Sequence, residues 1–126
     1  MSTPVEPIVM RLDAANKFVE VIANNGRRFF EYVHDDGREV ARFKRDERGH
    51  IWFWNEWHRK WIYVSRYRAW KDFHHGGTLH ALVGNLVRFI RSGEQLNAGF
   101  FGRHWAYGDD METVIETGKQ LGVVAA

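Results

Sequence analysis

Apolar residues recur every three or four positions in three stretches of the chain, the spacing that places side chains on one face of a helix. These stretches are residues 13–25, 78–93 and 109–121, and each begins with Asp or Thr, residue types that favour a helix N-cap. The pattern therefore predicts three helices. Residues 1–9, which contain two prolines, are predicted to form an extended lead-in.

Apolar and polar residues alternate between the first two helical stretches, as expected for strands with one buried face. The alternating stretches are residues 28–33, 39–44, 50–54 and 61–65. Asp36-Gly37 is a tight-turn dipeptide, and residues 46–49 and 55–60 form two further turns. The chain, residues 1–126, is predicted to be a single α+β domain. We expect a four-stranded antiparallel meander, with the N-terminal helix and two C-terminal helices packed on one face.

Strand alternation also assigns the two faces of the predicted sheet. The side covered by helices would carry Phe30, Tyr32, Ala41, Phe43, Ile51, Phe53, Ile62 and Val64. The opposite side would carry Arg42, Lys44, Trp52, Trp54, Trp61 and Tyr63. A register shift of one residue would invert a strand, so the assignment depends on the pairing.

Composition limits the chemistry open to the protein. The chain is 44% hydrophobic and 27% charged, which is ordinary for a globular domain, and it has no cysteine. Disulfides, zinc–thiolate sites and thiol chemistry are therefore excluded. The N-terminus lacks a basic stretch followed by an apolar run, and the longest apolar runs are too short to span a membrane. We expect a cytoplasmic protein without a membrane partner.

Aromatic and basic residues are concentrated in the middle of the chain. Residues 52–70 contain five of the six tryptophans, and residues 38–71 contain ten Lys or Arg against four Asp or Glu, although the net charge is only +2. The predicted partner-binding residues are Trp52, Trp54, Trp57, Trp61, Tyr63, Arg42, Lys44, Arg59, Lys60, Arg66 and Arg68.

Three uses of this segment stay open. Rings that stack on bases, with cations that meet phosphates, are what single-stranded nucleic acid binding requires. Aromatic residues also stabilise cross-strand pairs or fill a core. Finally, aromatic residues and Arg are enriched in protein interfaces, including homodimer interfaces.

The start of the second helix is a candidate anion site. His74, His75, Gly76, Gly77 and Thr78 precede or begin the apolar stripe. Free N–H groups at a helix start attract anions, and glycines allow a ligand to approach the backbone. Two glycines before a capping threonine also make a sharp turn that needs no ligand, so both interpretations remain.

The sequence predicts no cofactor, no metal site and no catalytic residue. His74, His75 and His80 lie close in sequence, but they lack the i, i+4 spacing of a helical metal pair. Neither a cysteine nucleophile nor a Gly-x-Ser-x-Gly elbow is present. A small histidine-dependent phosphoesterase using His74 or His75 is kept as an alternative.

The segment WKDFHHGGTLHALVGNLVRFIRSG, residues 70–93, resembles small uncharacterised proteins of bacterial phages and mobile elements. The shared pattern is an aromatic residue, a histidine and Gly-Gly-Thr-Leu before an amphipathic helix that ends in Ile-Arg-x-Gly. The resemblance implies a bacterial or phage setting and no particular activity, and small accessory proteins of this kind often act by binding a host macromolecule. An inhibitor of a host system is one form that a protein-binding module would take. We therefore expect a non-enzymatic binding protein with a protein partner or a homo-oligomer. Single-stranded nucleic acid binding is the alternative.

Overall fold

The described part of the chain contains four helices and five strands. The computed structural model describes residues 7–25, 29–65, 70–73, 77–104 and 111–126, apart from the side chains of 102–104. In chain order the elements are α1 Pro7–Asn25, β1 Glu31–His34, β2 Gly37–Val40, β3 Arg42–Arg45, β4 Ile51–Asn55, β5 Lys60–Tyr63, α2 Gly77–Ser92, α3 Ala98–His104 and α4 Met111–Gln120. The architecture is α+β, as the sequence predicts.

The strands form two sheets, so the predicted four-stranded meander is wrong. β1 pairs with β2 in a two-stranded sheet, and the other sheet has the order β3-β4-β5, with all pairs antiparallel. The predicted strand 39–44 is interrupted at Ala41, whose N–H donates to the carbonyl of Phe30 at 2.8 Å. Phe30 has a φ of 67° and is fully buried, so the chain bends there to insert its ring into the core.

The first helix begins earlier than the sequence predicts. Residues 7–9, assigned to an extended lead-in, are the first turn of α1, where proline is tolerated because its missing N–H has no helical partner. Asp13 is therefore inside the helix rather than at its cap. Its carboxylate pairs with Lys17 one turn later, at 3.0 Å.

The C-terminal region contains three helices where two were predicted. α3 lies in the segment expected to be a loop, residues 94–108, and Asn97 accepts the N–H of Gly99 at 2.7 Å beside its start. Phe101 of α3 is fully buried and contacts the ring of Phe18 edge-on, at 5.7 Å between centroids. A helix of seven residues with two glycines gives too little periodicity to be recognised in the sequence.

The boundaries of the other two helices shift by one or two residues. α2 begins at Gly77, so Thr78 is in its first turn instead of capping it. The predicted glycine stop is confirmed, since Gly93 has a φ of 79° and donates to the carbonyl of Phe89. α4 begins at Met111, and its predicted cap, Asp109, lies outside the described residues.

The helices cover one face of the three-stranded sheet. α1 contacts β3, α2 and α4, and a single hydrophobic cluster draws on both sheets and all four helices. Asn16 of α1 joins helix to sheet edge: its Oδ1 accepts the N–H of Phe43 at 2.7 Å, and its Nδ2 donates to the carbonyl of Phe43 at 3.0 Å. Because the helices pack on this face of the sheet, the opposite face is the candidate working surface.

Candidate binding face

The three-stranded sheet presents six aromatic or basic side chains away from the helices. The register aligns Arg42 with Trp54 and Trp61, and Lys44 with Trp52 and Tyr63. We call this set the outer face: Arg42, Lys44, Trp52, Trp54, Trp61 and Tyr63. The intervening side chains of the same strands are buried in the core, and they are those of Phe43, Ile51, Phe53 and Ile62. The predicted division of the two faces is confirmed for these strands.

The rings of the outer face are packed against one another in cross-strand pairs. Trp54 and Trp61 have centroids 5.1 Å apart, and Trp52 and Tyr63 have centroids 5.4 Å apart. The Val64 N–H donates to the Ile51 carbonyl, so Ile51 and Val64 form a hydrogen-bonded pair. Hydrogen-bonded and non-hydrogen-bonded pairs alternate along antiparallel strands, so both aromatic pairs are of the non-hydrogen-bonded type. Side chains approach most closely at such positions, which explains why the large rings meet across the strands.

Cations cover part of the indole surface. The guanidinium carbon of Arg42 lies 5.0 Å from the ring centroid of Trp54 and 5.2 Å from that of Trp61. The ammonium of Lys44 lies 4.1 Å from the ring centroid of Trp61. Each contact is a cation–π interaction of about 0.5–1 kcal/mol at an exposed site. The outer face is thus an interleaved layer of charges and rings.

Two carboxylates hold the indoles from the margin of this face. Trp52 donates its indole N–H to Asp46 at 2.9 Å, and Trp54 donates its own to Glu39 at 3.2 Å. The bond from Trp52 is the main reason that the pKa of Asp46 lies below its usual value. The same carboxylate accepts the N–H groups of Arg48 and His50, so the β3–β4 turn fixes the orientation of the Trp52 ring.

The rings are neither sealed in the core nor freely extended into solvent. Trp52, Trp54 and Trp61 are half-buried, whereas Tyr63 is 39% exposed. Arg42 and Lys44 are exposed. The face can therefore offer ring edges and cationic groups to a partner without refolding.

Trp57 and Arg59, which are among the predicted partner-binding residues, lie in the turn between β4 and β5, as the sequence predicts. Trp57 is 51% exposed, and its ring centroid is 4.3 Å from that of Tyr32. Tyr32 was predicted to be on the helix-covered side and is instead half-buried against Trp57, because β1 belongs to the other sheet. Arg59 forms an ion pair with Asp36 that lowers the pKa of this carboxyl, and a longer one with Glu39 at 3.6 Å.

Of the other three predicted partner-binding residues, the structure describes only Lys60. Lys60 is exposed at the start of β5, beside Trp61. Arg66 and Arg68 lie outside the described residues.

The predicted anion site is described only in part. His74, His75 and Gly76 lie outside the described residues, and with them the two histidines of the phosphoesterase alternative. Gly77, with a φ of 60°, begins α2, and Thr78 follows it in the first turn. Within the residues described, no three His, Asp or Glu side chains are grouped so that they could hold a metal ion. In the same residues, no helix is long and apolar enough to cross a bilayer.

The sequence did not reveal the residues that organise the outer face from outside it. Asp46 and Glu39 were assigned only to a turn and a strand. A signal for Asp46 was available, since it precedes Trp52 by six residues across a four-residue turn and a hairpin places the two close together. Glu39 belongs to the other sheet, so nothing in the local pattern connects it to Trp54.

Comparison with known proteins gives a family for the chain. A search of curated proteins found no match, and neither did a search of solved structures. A family model described as YoqU matches residues 6–126, which includes every element of the fold and the whole outer face. The chain therefore belongs to the YoqU family.

Proposed function

We propose that the protein is a non-enzymatic binding protein that contacts a protein partner through its outer face. The observation that carries the proposal is the placement of Arg42 against both Trp54 and Trp61 on the side of the sheet away from the helices. Trp, Tyr and Arg are the residues that most often dominate the energy of protein interfaces. Here they share one half-exposed surface on a rigid sheet.

The geometry favours a protein over single-stranded nucleic acid. A base that stacked on Trp61 would compete with Arg42 and Lys44, which already lie over that ring. The paired rings are tilted by about 60° to each other, so they form a corrugated surface instead of a series of parallel platforms. The carboxylates of Asp46 and Glu39 at the margin would also repel phosphates.

The biological setting is part of the same proposal. The resemblance of residues 70–93 to proteins of phages and mobile elements suggests an accessory protein that binds, and in one version inhibits, a host protein in the bacterial cytoplasm. A homo-oligomer that uses the same face is the other form of protein contact. Measuring the mass of the purified protein in solution separates the two forms.

A charge-reversal experiment tests the proposal. The tagged protein is used to capture partners from a bacterial extract, and bound proteins are quantified by mass spectrometry. Lys44→Glu places a negative charge on the outer face, whereas Lys17→Glu makes the same change on the exposed side of α1. We expect a protein, or a second copy of the chain, that the wild type and Lys17→Glu retain and Lys44→Glu loses by about tenfold or more.

The same variants test the nucleic acid alternative. Single-stranded oligonucleotides are titrated against the protein, and binding is followed by quenching of tryptophan fluorescence. An affinity that falls steeply with salt and is lost in Lys44→Glu would show that the partner is nucleic acid and not protein. Equal recovery of every captured protein by Lys44→Glu and Lys17→Glu would contradict a role for the outer face in protein binding.

A further inference from the structure

A cavity of about 580 Å³ lies between α2 and the chain that follows β5. Its walls are Val64 and Ser65, which follow β5, the indole of Trp70, and the side of α2 that carries His80, Asn85 and Arg88. The volume is within the range of about 300–1,000 Å³ that is typical of small-molecule sites. None of its described lining residues belongs to the outer face.

Two small residues of α2 line this cavity. Ala81 and Gly84 form the helix wall opposite Trp70. A Cβ added at Gly84 would lie 3.9 Å from the indole carbons of Trp70, which is ordinary contact distance. Alanine would therefore fit, and a longer side chain at this position would press against the Trp70 indole at the cavity wall.

The charge of the cavity wall is positive. Arg88 and Arg91 both line it, and its described lining residues include no Asp or Glu. Arg88 is 61% exposed and lies 3.9 Å from the carboxylate of Glu94, with which it lines a smaller neighbouring cavity that shares Asn85 and Arg88 with the first. Of the two guanidinium groups, only that of Arg88 has a carboxylate partner among the described residues.

Arg91 is not required to complete the end of α2. The carbonyls of Ile90 and Arg91 accept hydrogen bonds from the guanidinium of Arg11 at 2.9 and 3.1 Å. The side chain of Arg91 donates one bond, from Nη2 to the carbonyl of Val64 at 2.8 Å. Within the described residues no carboxylate pairs with Arg91, although it is half-buried, and its other N–H donors remain available at the cavity wall.

From this arrangement we propose that the cavity binds a small organic phosphate. Guanidinium groups bind phosphate oxygens through paired N–H bonds, and two of them match the charge of a phosphate monoester. Val64 and Trp70 across from α2, together with Val87 of α2, supply apolar surface for the organic part of the ligand. A molecule of the size of a nucleoside monophosphate fits the volume.

Titration with adenosine 5′-monophosphate, adenosine and inorganic phosphate tests the proposal, with calorimetry and NMR shift mapping as readouts. We expect saturable binding of the monophosphate, weaker binding of inorganic phosphate and the weakest binding of adenosine. The shifted amides should include those of residues 84–91. Arg88→Ala should weaken binding by about 10–100-fold, because a charge-assisted hydrogen bond to phosphate is lost.

Two further variants separate a bound ligand from a disturbed fold. Gly84→Leu places a longer side chain against the Trp70 indole at the cavity wall and should weaken binding while the circular dichroism spectrum stays that of the wild type. Lys17→Ala removes an equally exposed positive charge that lines neither cavity, and it should bind as the wild type does. The proposal is overturned if none of the three compounds saturates the protein at millimolar concentration. Affinity that is unchanged in both Arg88→Ala and Gly84→Leu would overturn it as well.

Discussion

Replacing Asn16 by alanine tests the contact that fixes the orientation of the sheet. The amide of Asn16 forms two hydrogen bonds with the backbone of Phe43, at 2.7 and 3.0 Å, and both are partly buried. The substitution leaves one N–H and one C=O of Phe43 without these partners. An unsatisfied buried group costs about 1–3 kcal/mol, and partial access of water reduces this. We expect a loss of about 2–4 kcal/mol in the free energy of unfolding.

Asn24→Ala on the same helix is the matched control. Its side-chain oxygen accepts one exposed hydrogen bond, from Arg38 at 2.8 Å. Both substitutions replace Asn by Ala in α1, and a change in helix propensity is worth less than about 1 kcal/mol, so a larger difference between them reports the contact with Phe43. Urea unfolding of the two variants measures it, and Asn24→Ala should stay within about 0.5 kcal/mol of the wild type. A difference of less than about 1 kcal/mol would refute the reasoning, since two unpaired backbone groups cost more than that.

Two glycines of different surroundings and one buried carboxyl give further predictions. Gly118→Ala should lower the free energy of unfolding by about 1–3 kcal/mol, because its Cβ would stand 2.5 Å from Val124 and 2.8 Å from the buried ring of Phe18. Gly84→Ala meets only ordinary contacts and should raise the free energy of unfolding by about 0.5–1 kcal/mol, with urea unfolding as the measurement for both glycine variants. The opposite order would contradict the packing. Burial raises the pKa of Glu56, because the fold disfavours the ionised carboxylate. The protein therefore has its full stability below the unfolded pKa of this group, where Glu56 is protonated, and loses stability as pH rises through the folded pKa. Glu56→Gln should therefore be more stable than the wild type at pH 7 and equal to it near about pH 4. A gain that is the same at both pH values would exclude ionisation as its cause.

The sequence could predict the faces of the three-stranded sheet because strand alternation depends on residue type alone. Phe43, Phe53 and Ile62 are buried, and the residues between them form the outer face, as expected. The division into two sheets could not be predicted. It depends on Phe30 adopting a positive φ, which phenylalanine rarely does and which no local pattern indicates.

Elements that depend on tertiary contacts were also missed. The periodicity in α3 is too short to recognise, and the contact between Phe101 and Phe18 joins segments far apart in the chain. The ring pairs of the outer face followed from the register. Their anchoring did not, because Glu39 reaches Trp54 from the neighbouring sheet.

Photo-crosslinking in the bacterial cell tests the role of the outer face most directly. Benzoylphenylalanine is incorporated at Tyr63, which is 39% exposed on the outer face, and in a second protein at Lys17 on the exposed side of α1. The account predicts a discrete crosslinked protein from position 63 that is absent from position 17. The same crosslinks from both positions, or crosslinks from position 17 alone, would contradict it.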